Sequence, residues 1–211
     1  MEQQNKIAVL GGGGRTGQYI VSQLLDLGYS IKLLLRSAEN LHPKNPRIEI
    51  VQGDAVSPEA VNALAEDCQA VISSIGQRKG EPPVSLATTN VLKSMSAFGI
   101  RRYIAVVGLN TDTPFDKKSA ETAAATEWMR INYPVMHADS QKTYSILSSS
   151  DLNWTLVRVP WIEFKDESNE IAISLEDCRG KAITASDIAR FVIEQLSDER
   201  YIRRSPFIAK R

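Results

Sequence analysis

A short β-branched run, "KIAVL", leads without a break into four glycines, Gly11 to Gly14, and then into Ile20, Val21, Leu24 and Leu25 at helical spacing. Glycine loses more backbone entropy on folding than any other residue, so a run of four implies that the chain is approached closely at this point. Gly11, Gly14 and Gly17 fit Gly-x-x-Gly-x-x-Gly, and Gly12, Gly14 and Gly17 also fit Gly-x-Gly-x-x-Gly. Either spacing places a tight turn between a strand and a helix and leaves backbone N–H groups aimed out of the helix start. A pyrophosphate fits there, because no Cβ blocks its approach and the helix dipole favours negative charge. The last glycine lets the helix pack close to the strand.

The rest of the chain repeats this rhythm. "SIKLLLR", "RIEIVQGD", "QAVISSIG", "RRYIAVVG" and "NWTLVRVP" read as five further strands. Helices are expected from Ser57-Pro58 to about Glu66, over Val84 to Phe98, over His137 to Ser149, and across "TASDIARFVIEQL", with Ser186 or Asp187 near its start. Alternating strands and helices predict an α/β, doubly wound parallel sheet. No repeat or linker divides residues 1–211, so a single domain is expected. Residues 110 to 135, polar, alanine-rich and bounded by Pro114 and Pro134, break the rhythm. They predict an inserted, partly helical lid over the carboxyl edge of the sheet. The final "SPFIAK" suggests a short strand, and the basic "RYIRRSPFIAKR" around it a solvated edge.

The end of the second strand bears on which dinucleotide is bound. An acid there binds the adenosine ribose of NAD, whereas an arginine accommodates the 2′-phosphate of NADP. Here the strand ends in Arg36-Ser37, with no acid until Glu39. A guanidinium fork beside a hydroxyl suits a phosphate, so NADP(H) is expected in preference to NAD(H). Arg15, inside the glycine loop, is placed to approach the same phosphate. Asp54, closing the third strand, either accepts from the adenine amino group or caps the turn before Ser57-Pro58.

Composition removes other function classes. Lys plus Arg and Asp plus Glu both number 25, so no net field draws the chain to nucleic acid or an anionic membrane. No apolar run approaches a bilayer span or a signal peptide, which predicts a cytoplasmic protein. Cys68 and Cys178 have no metal-ligand spacing, and no metal is expected. No exposed apolar helix face marks an oligomer interface.

The segments "LGGGGRTGQ", "LLLRS", "VQGDAVSPEAVNAL", "AVISSIG", "SDLNWTLVRVP" and "ITASDIARFVIEQL" together resemble the atypical short-chain dehydrogenase/reductases. Within them the chain is most similar to the NAD(P)H-binding, NmrA-like branch that includes biliverdin reductase B/flavin reductase. The resemblance spans nearly the whole chain except residues 110 to 135. It implies a Rossmann-type domain with NADP(H) across the carboxyl ends of the strands. By position it implies that Gly11, Gly14, Arg15, Thr16 and Gly17 surround the pyrophosphate, Gly12 standing in the same loop. Arg36 and Ser37 would meet the 2′-phosphate, Asp54 and Ala55 the adenine, and Ser73, Ser74, Ile75 and Gly76 the ribose and nicotinamide. Pro160, Trp161 and Ile162 match the segment that closes over the nicotinamide. The Arg-Pro usual there is altered, because Val159 stands between Arg158 and Pro160.

Typical short-chain dehydrogenases donate a proton from a Tyr whose pKa is lowered by a Lys four residues later. None of the six tyrosines here is followed by such a lysine. Many relatives carry a Lys fourteen residues before the aromatic of "DLNW", where this chain has Ser140. His137, Ser140, Gln141 and Tyr144 follow one helix face. On that face His137 is a candidate proton donor and Ser140 a candidate ribose contact, unless the stripe is simply solvated. The fifth strand offers Val107 and Gly108 where relatives have Ser or Thr, which leaves Asn110 as the nearest polar group. Phe115, Trp128, Met129, Tyr133 and Trp161 form either a flat-walled pocket or the anchor of the lid. A reductase passing hydride to a small planar acceptor (a flavin, quinone or conjugated carbonyl) needs chiefly proximity, and this is the expected activity. The alternative is a non-catalytic NADP(H)-binding sensor of the NmrA-like type. The chain is short for the sugar-binding portion of an epimerase.

Overall fold

A computed structural model describes residues 6–37, 45–76 and 84–211. Glu39 therefore lies outside the described residues. The first strand, β1 (Lys6–Leu10), passes through the glycine turn into α1 (Arg15–Asp26), and β2 (Ser30–Leu35) and β3 (Ile48–Gln52) follow. Next come α2 (Pro58–Ala65), β4 (Ala70–Ser73), α3 (Val84–Ala97) and β5 (Arg102–Gly108). The excursion holds α4 (Ala120–Asn132), which turns directly into α5 (Pro134–Ser148). After β6 (Asn153–Val159) lie β7 (Trp161–Glu163), β8 (Ile171–Ser174), β9 (Ala182–Thr184), α6 (Ala185–Glu194) and β10 (Phe207–Lys210).

Eight strands form one sheet in the order β3-β2-β1-β4-β5-β6-β10-β8, parallel throughout except for the antiparallel β10–β8 pair. This is the doubly wound arrangement, and the order reverses between β1 and β4, where such sheets open a crevice. Strand alternation divides the core between two faces. Ile7, Val9, Ile31, Leu33, Ile72 and Ile104 pack with Ile20, Leu24, Ile188 and Val192 of α1 and α6. Ala8, Leu10, Leu34, Val71, Tyr103 and Leu156 pack on the other face with Val61, Leu64, Val91, Met95 and Leu147 of α2, α3 and α5. Because inner strands are covered on both faces, their sequences read as continuous apolar runs rather than alternating ones.

Helix α2 starts as the sequence implies, with the Ser57 hydroxyl accepting from the Ala60 N–H and Pro58 in the first turn. Five elements depart from expectation in start, presence or burial. Helix α5 begins at Pro134 rather than near His137, because the proline that bounds the excursion is also suited to a first helical turn. Strands β7, β8 and β9 occupy residues that carried no strand expectation. "SPFIAK" supplies the expected short strand, but it lies inside the sheet rather than at a solvated edge, for Phe207, Ile208 and Ala209 are at most 1% exposed.

Ser186 and Asp187 lie in the first turn of α6, as expected, and Thr184 is its N-cap, its hydroxyl accepting from the Asp187 N–H. Asp187 is fully buried and in turn receives Arg190, Asn169 and the Thr184 hydroxyl. Burial alone raises a carboxyl pKa, yet these donors hold Asp187 below its ordinary value. A carboxyl depressed in the folded state stabilises above its unfolded pKa of about 3.9, and that contribution disappears as pH falls through the folded value. Asp187→Asn is therefore expected to lower stability at neutral pH and to flatten the acid limb of a stability–pH profile. An unchanged acid limb in denaturant melts between pH 2 and 5 would contradict this. No helix among the described residues is long and apolar enough to cross a membrane.

Candidate functional site

A cleft of about 1360 Å³ opens over the carboxyl ends of β1, β2, β4 and β5, at the reversal of strand order. This exceeds the roughly 300–1,000 Å³ of an ordinary small-ligand pocket. Its floor is the β1–α1 turn. Gly11 takes a left-handed backbone (φ 79°), and its carbonyl accepts from the Gly14 N–H at 2.9 Å, which closes the turn. A Cβ on Gly17 would lie 2.0 Å from the Gly11 carbonyl oxygen, so the helix sits against the turn as closely as backbone permits. Among the described residues no side chain caps the start of α1, nor that of α5, whereas Ser57, Ser119 and Thr184 cap α2, α4 and α6. A glycine-walled turn opposite an uncapped helix start is the donor set that a pyrophosphate requires, and the residues present fit a dinucleotide.

Gly11, Gly14, Arg15 and Thr16 line the cleft together with Gly13 and Gln18. Gly12 and Gly17 do not; a Cβ on Gly12 would meet Leu33 Cδ1 at 2.2 Å, so its role is packing against the core. Leu34, Leu35, Arg36 and Ser37 form one end of the cleft, with Asp54, Ala55 and Val56 beside them. Asp54 Oδ1 accepts from the Val56 N–H at 3.1 Å, so one carboxylate oxygen caps its own turn, and one oxygen is left for another partner. Ser74, Ile75 and Gly76 line the middle, whereas Ser73 is buried beneath the surface. The Ser74 hydroxyl lies 3.4 Å from the Leu10 and Gly11 carbonyls and buttresses the glycine turn.

The opposite end is built from Val106, Val107, Gly108 and Asn110, with Met129 of α4 and Met136, Asp139, Ser140 and Thr143 of α5. Met136 and Ser140 share a face at the same four-residue spacing as a Tyr–Lys pair, but a thioether has no proton to donate, and among the described residues no lysine lines the cleft to activate the hydroxyl. Ser140 donates to the Met136 carbonyl at 3.0 Å. His137 does not line the cleft; its Nδ1 lies 3.3 Å from the Asn110 amide, and Gln141 donates to the Asn110 carbonyl at 3.2 Å. The polar face of α5 is thus neither solvated nor turned as a whole to the cleft, but half of it clamps Asn110. Asp139 accepts from the Val84 and Ser85 N–H groups, at 2.7 and 3.3 Å, and so caps α3. Burial raises the Tyr103 and Tyr144 hydroxyls, and it pushes the Cys68 thiol up to about 11, so none of the three is primed for acid–base or nucleophilic work.

The third wall carries Val159, Pro160, Ile162 and Phe164. Trp161 points away and is 78% exposed; Phe115, Trp128 and Tyr133 are also exposed outside the cleft, so Met129 is the one member of the expected aromatic and apolar wall that reaches it. Strand alternation explains this, since Pro160 and Ile162 face inward and Trp161 cannot. Arg158 is fully buried, stacks on Phe207 at 3.5 Å, and donates to both oxygens of Asp116 at 2.7 and 2.8 Å. Thr113 and Lys118 complete that group, and Lys118 also holds Asp112, Thr126 and the Leu109 carbonyl. The excursion is fastened to the body chiefly by this charged cluster, with Phe115 adding a contact under the Arg204 guanidinium at 5.6 Å. Among the described residues no group of His, Cys, Asp and Glu is arranged to hold a metal.

Comparison with known proteins agrees with this geometry. The NAD(P)H-binding family model matches residues 11–199. An uncharacterized chloroplastic protein of Arabidopsis thaliana is 22% identical over 207 residues, covering 92% of this chain and 72% of its own. A short-chain dehydrogenase/reductase of Veillonella parvula, solved in complex with NADP, superposes with a TM-score of 0.83 at 18% identity, covering 98% of this chain and 94% of that one. ChuY of Escherichia coli O157:H7, described as an anaerobilin reductase, gives 0.79 at 16% identity, with 97% of both chains covered. With a cradle of this shape and a family match over nearly its full length, the chain belongs to the NAD(P)H-binding family.

Proposed function

We propose that the protein is an NADPH-dependent reductase that passes hydride to a small planar acceptor such as a flavin, quinone or conjugated carbonyl. The observation that carries this reading is that one cleft combines a phosphate cradle in its floor with an end where Val107, Gly108, Met129 and Met136 stand beside the polar Asn110, Asp139, Ser140 and Thr143. A reduced nicotinamide supplies hydride when bound. The chain's own part is to orient and to exclude water: Gly11, Gly14, Arg15 and Thr16 hold the pyrophosphate, and Ser74, Ile75 and Gly76 follow the ribose. Pro160 and Ile162 close the nicotinamide face. Met129 and Met136 are adaptable, polarizable walls suited to flat ligands of varied outline. Ser140 stands at the ribose, and His137 acts through Asn110 rather than as an acid. The reductase descriptions of structural neighbours support this chemistry. Asp139, the carboxyl group lining that end, is engaged as an acceptor at the start of α3, so protons reach the acceptor from solvent.

Arg36 and Ser37 favour NADP(H) over NAD(H), since a guanidinium fork binds a phosphate dianion and has no comparable partner on a plain ribose. Arg36→Glu is expected to weaken NADPH binding more than tenfold, about 1.4 kcal/mol, while changing NADH binding far less. Equal affinities of wild type and variant for both cofactors would contradict that placement. The absence of a Tyr–Lys pair favours a second reading, a sensor that binds NADP(H) without turnover. Stopped-flow oxidation of NADPH against a panel of flavins and quinones separates the two: turnover with any acceptor supports the reductase, and tight binding without turnover the sensor.

A further inference from the structure

Phe164 carried no expectation from sequence, yet it lines the cleft and its ring lies under the Arg15 guanidinium at 4.0 Å. The two residues come from opposite banks. Arg15 is the first residue of α1, beside the uncapped helix start, and Phe164 follows β7 on the wall that carries Pro160 and Ile162. Among the described residues Arg15 has no carboxylate partner, and its recorded interaction is this stack. The chain beyond Phe164 is tied down. Asp166 accepts from the Ser186 hydroxyl, and the Asn169 backbone N–H and side-chain amide both donate to Asp187. The Phe164 backbone is therefore fixed to the start of α6, and Gln23 of α1 bonds Ser186 on the same helix.

We propose that Arg15 and Phe164 form a clasp across the pyrophosphate section of the cleft, with Phe164 as the positioning residue. The inference rests on the dinucleotide reading above and adds a device that governs how long the dinucleotide stays. A guanidinium stacked by its face keeps its N–H edge available, so a phosphate can be bound in the plane of the fork while the ring holds that plane in place. Without the ring, the long Arg15 side chain must be ordered by the phosphate alone, at the cost of its rotamer entropy. The stack also bridges the two banks, so a dinucleotide seated below leaves only after the clasp opens. Residence time, more than encounter rate, is what the clasp sets.

The test is stopped-flow and calorimetric binding of NADP+ to wild type, Phe164→Ala and Phe164→Trp, with 2′-AMP as a ligand that has no pyrophosphate. The expected result is about a five- to tenfold faster NADP+ dissociation for Phe164→Ala, an association rate changed less than twofold, and restoration by Phe164→Trp. Affinity for 2′-AMP should be equal in all three proteins. An NADP+ dissociation rate unaltered in Phe164→Ala overturns the clasp and leaves the dinucleotide reading standing. Weakening of 2′-AMP in step with NADP+ also overturns it, since that puts Arg15 at the 2′-phosphate instead of the pyrophosphate or marks a general disturbance of the fold. Failure of wild type to bind NADP+ at all overturns the dinucleotide reading, and the clasp with it.

Discussion

Gly17→Ala is expected to reduce affinity for NADP(H) by well over tenfold and to destabilise the fold by about 3 kcal/mol or more, the upper range for forcing one methyl into a packed site. The added Cβ would stand 2.0 Å from the Gly11 carbonyl oxygen, 2.6 Å from Gly12 Cα and 2.7 Å from the Gly11 carbonyl carbon. All three neighbours are backbone, so no rotamer change relieves the clash. Relief requires α1 to move away from the turn, which displaces Arg15, Thr16 and the helix-start N–H groups from the floor of the cleft. For a chain of this size the stability loss corresponds to roughly 6–12 °C in Tm. Binding measured well below the variant's melting temperature separates the two effects. A folded Gly17→Ala protein with wild-type NADP+ affinity would show that the helix start is not the phosphate site.

Asp116→Ala should be the most destabilising change outside the cleft, by about 3–5 kcal/mol, because it leaves the fully buried Arg158 guanidinium without a carboxylate. Burial already opposes the Arg158 charge and lowers its pKa, and Asp116 is the chief opposing influence. Arg158 retains the Ser205, Thr111 and Leu175 carbonyls, so the charge remains hydrogen-bonded but unneutralised. Replacing the pair together, as Asp116→Leu with Arg158→Met, should cost less than Asp116→Ala alone, since desolvation and attraction are then both removed. Urea melts of the three variants measure this. A larger loss in the double variant than in the single would mean that the pair's contacts to the excursion, rather than its charge balance, hold the lid.

How much of this was legible in the chain depended on how local the signal is. The glycine turn, its strand and its helix lie within 21 residues, Lys6 to Asp26, and each property follows from immediate neighbours. The inner strands were readable for the same reason, since burial on both faces leaves an uninterrupted apolar run. Phe164 was not readable, because what gives it meaning is Arg15, far away in sequence and brought near only by the sheet. Arg158, two residues before Pro160, carried no expectation of a buried charge, because the partners that hold it, Asp116 and Phe207, are distant in sequence. The C-terminal strand was readable as a strand, but its flanking charges hid its burial: Arg203 and Arg204 precede it and Lys210 and Arg211 close it, yet the three apolar residues between sit inside the sheet. On α5 the helical period identified a polar face correctly as a face. What it lacked was the angle at which that face meets the cleft, and this decided that Asp139 and Thr143 line it and His137 does not.

The central claim is that the uncapped start of α1 and the glycine turn seat a dinucleotide whose third phosphate meets Arg36. Isothermal titration of the wild-type protein with NADP+, NADPH and their NAD counterparts measures this directly. One equivalent bound, with the 2′-phosphorylated forms at least tenfold tighter, is the predicted result. Absence of binding heat and of competition with any of the four would contradict it.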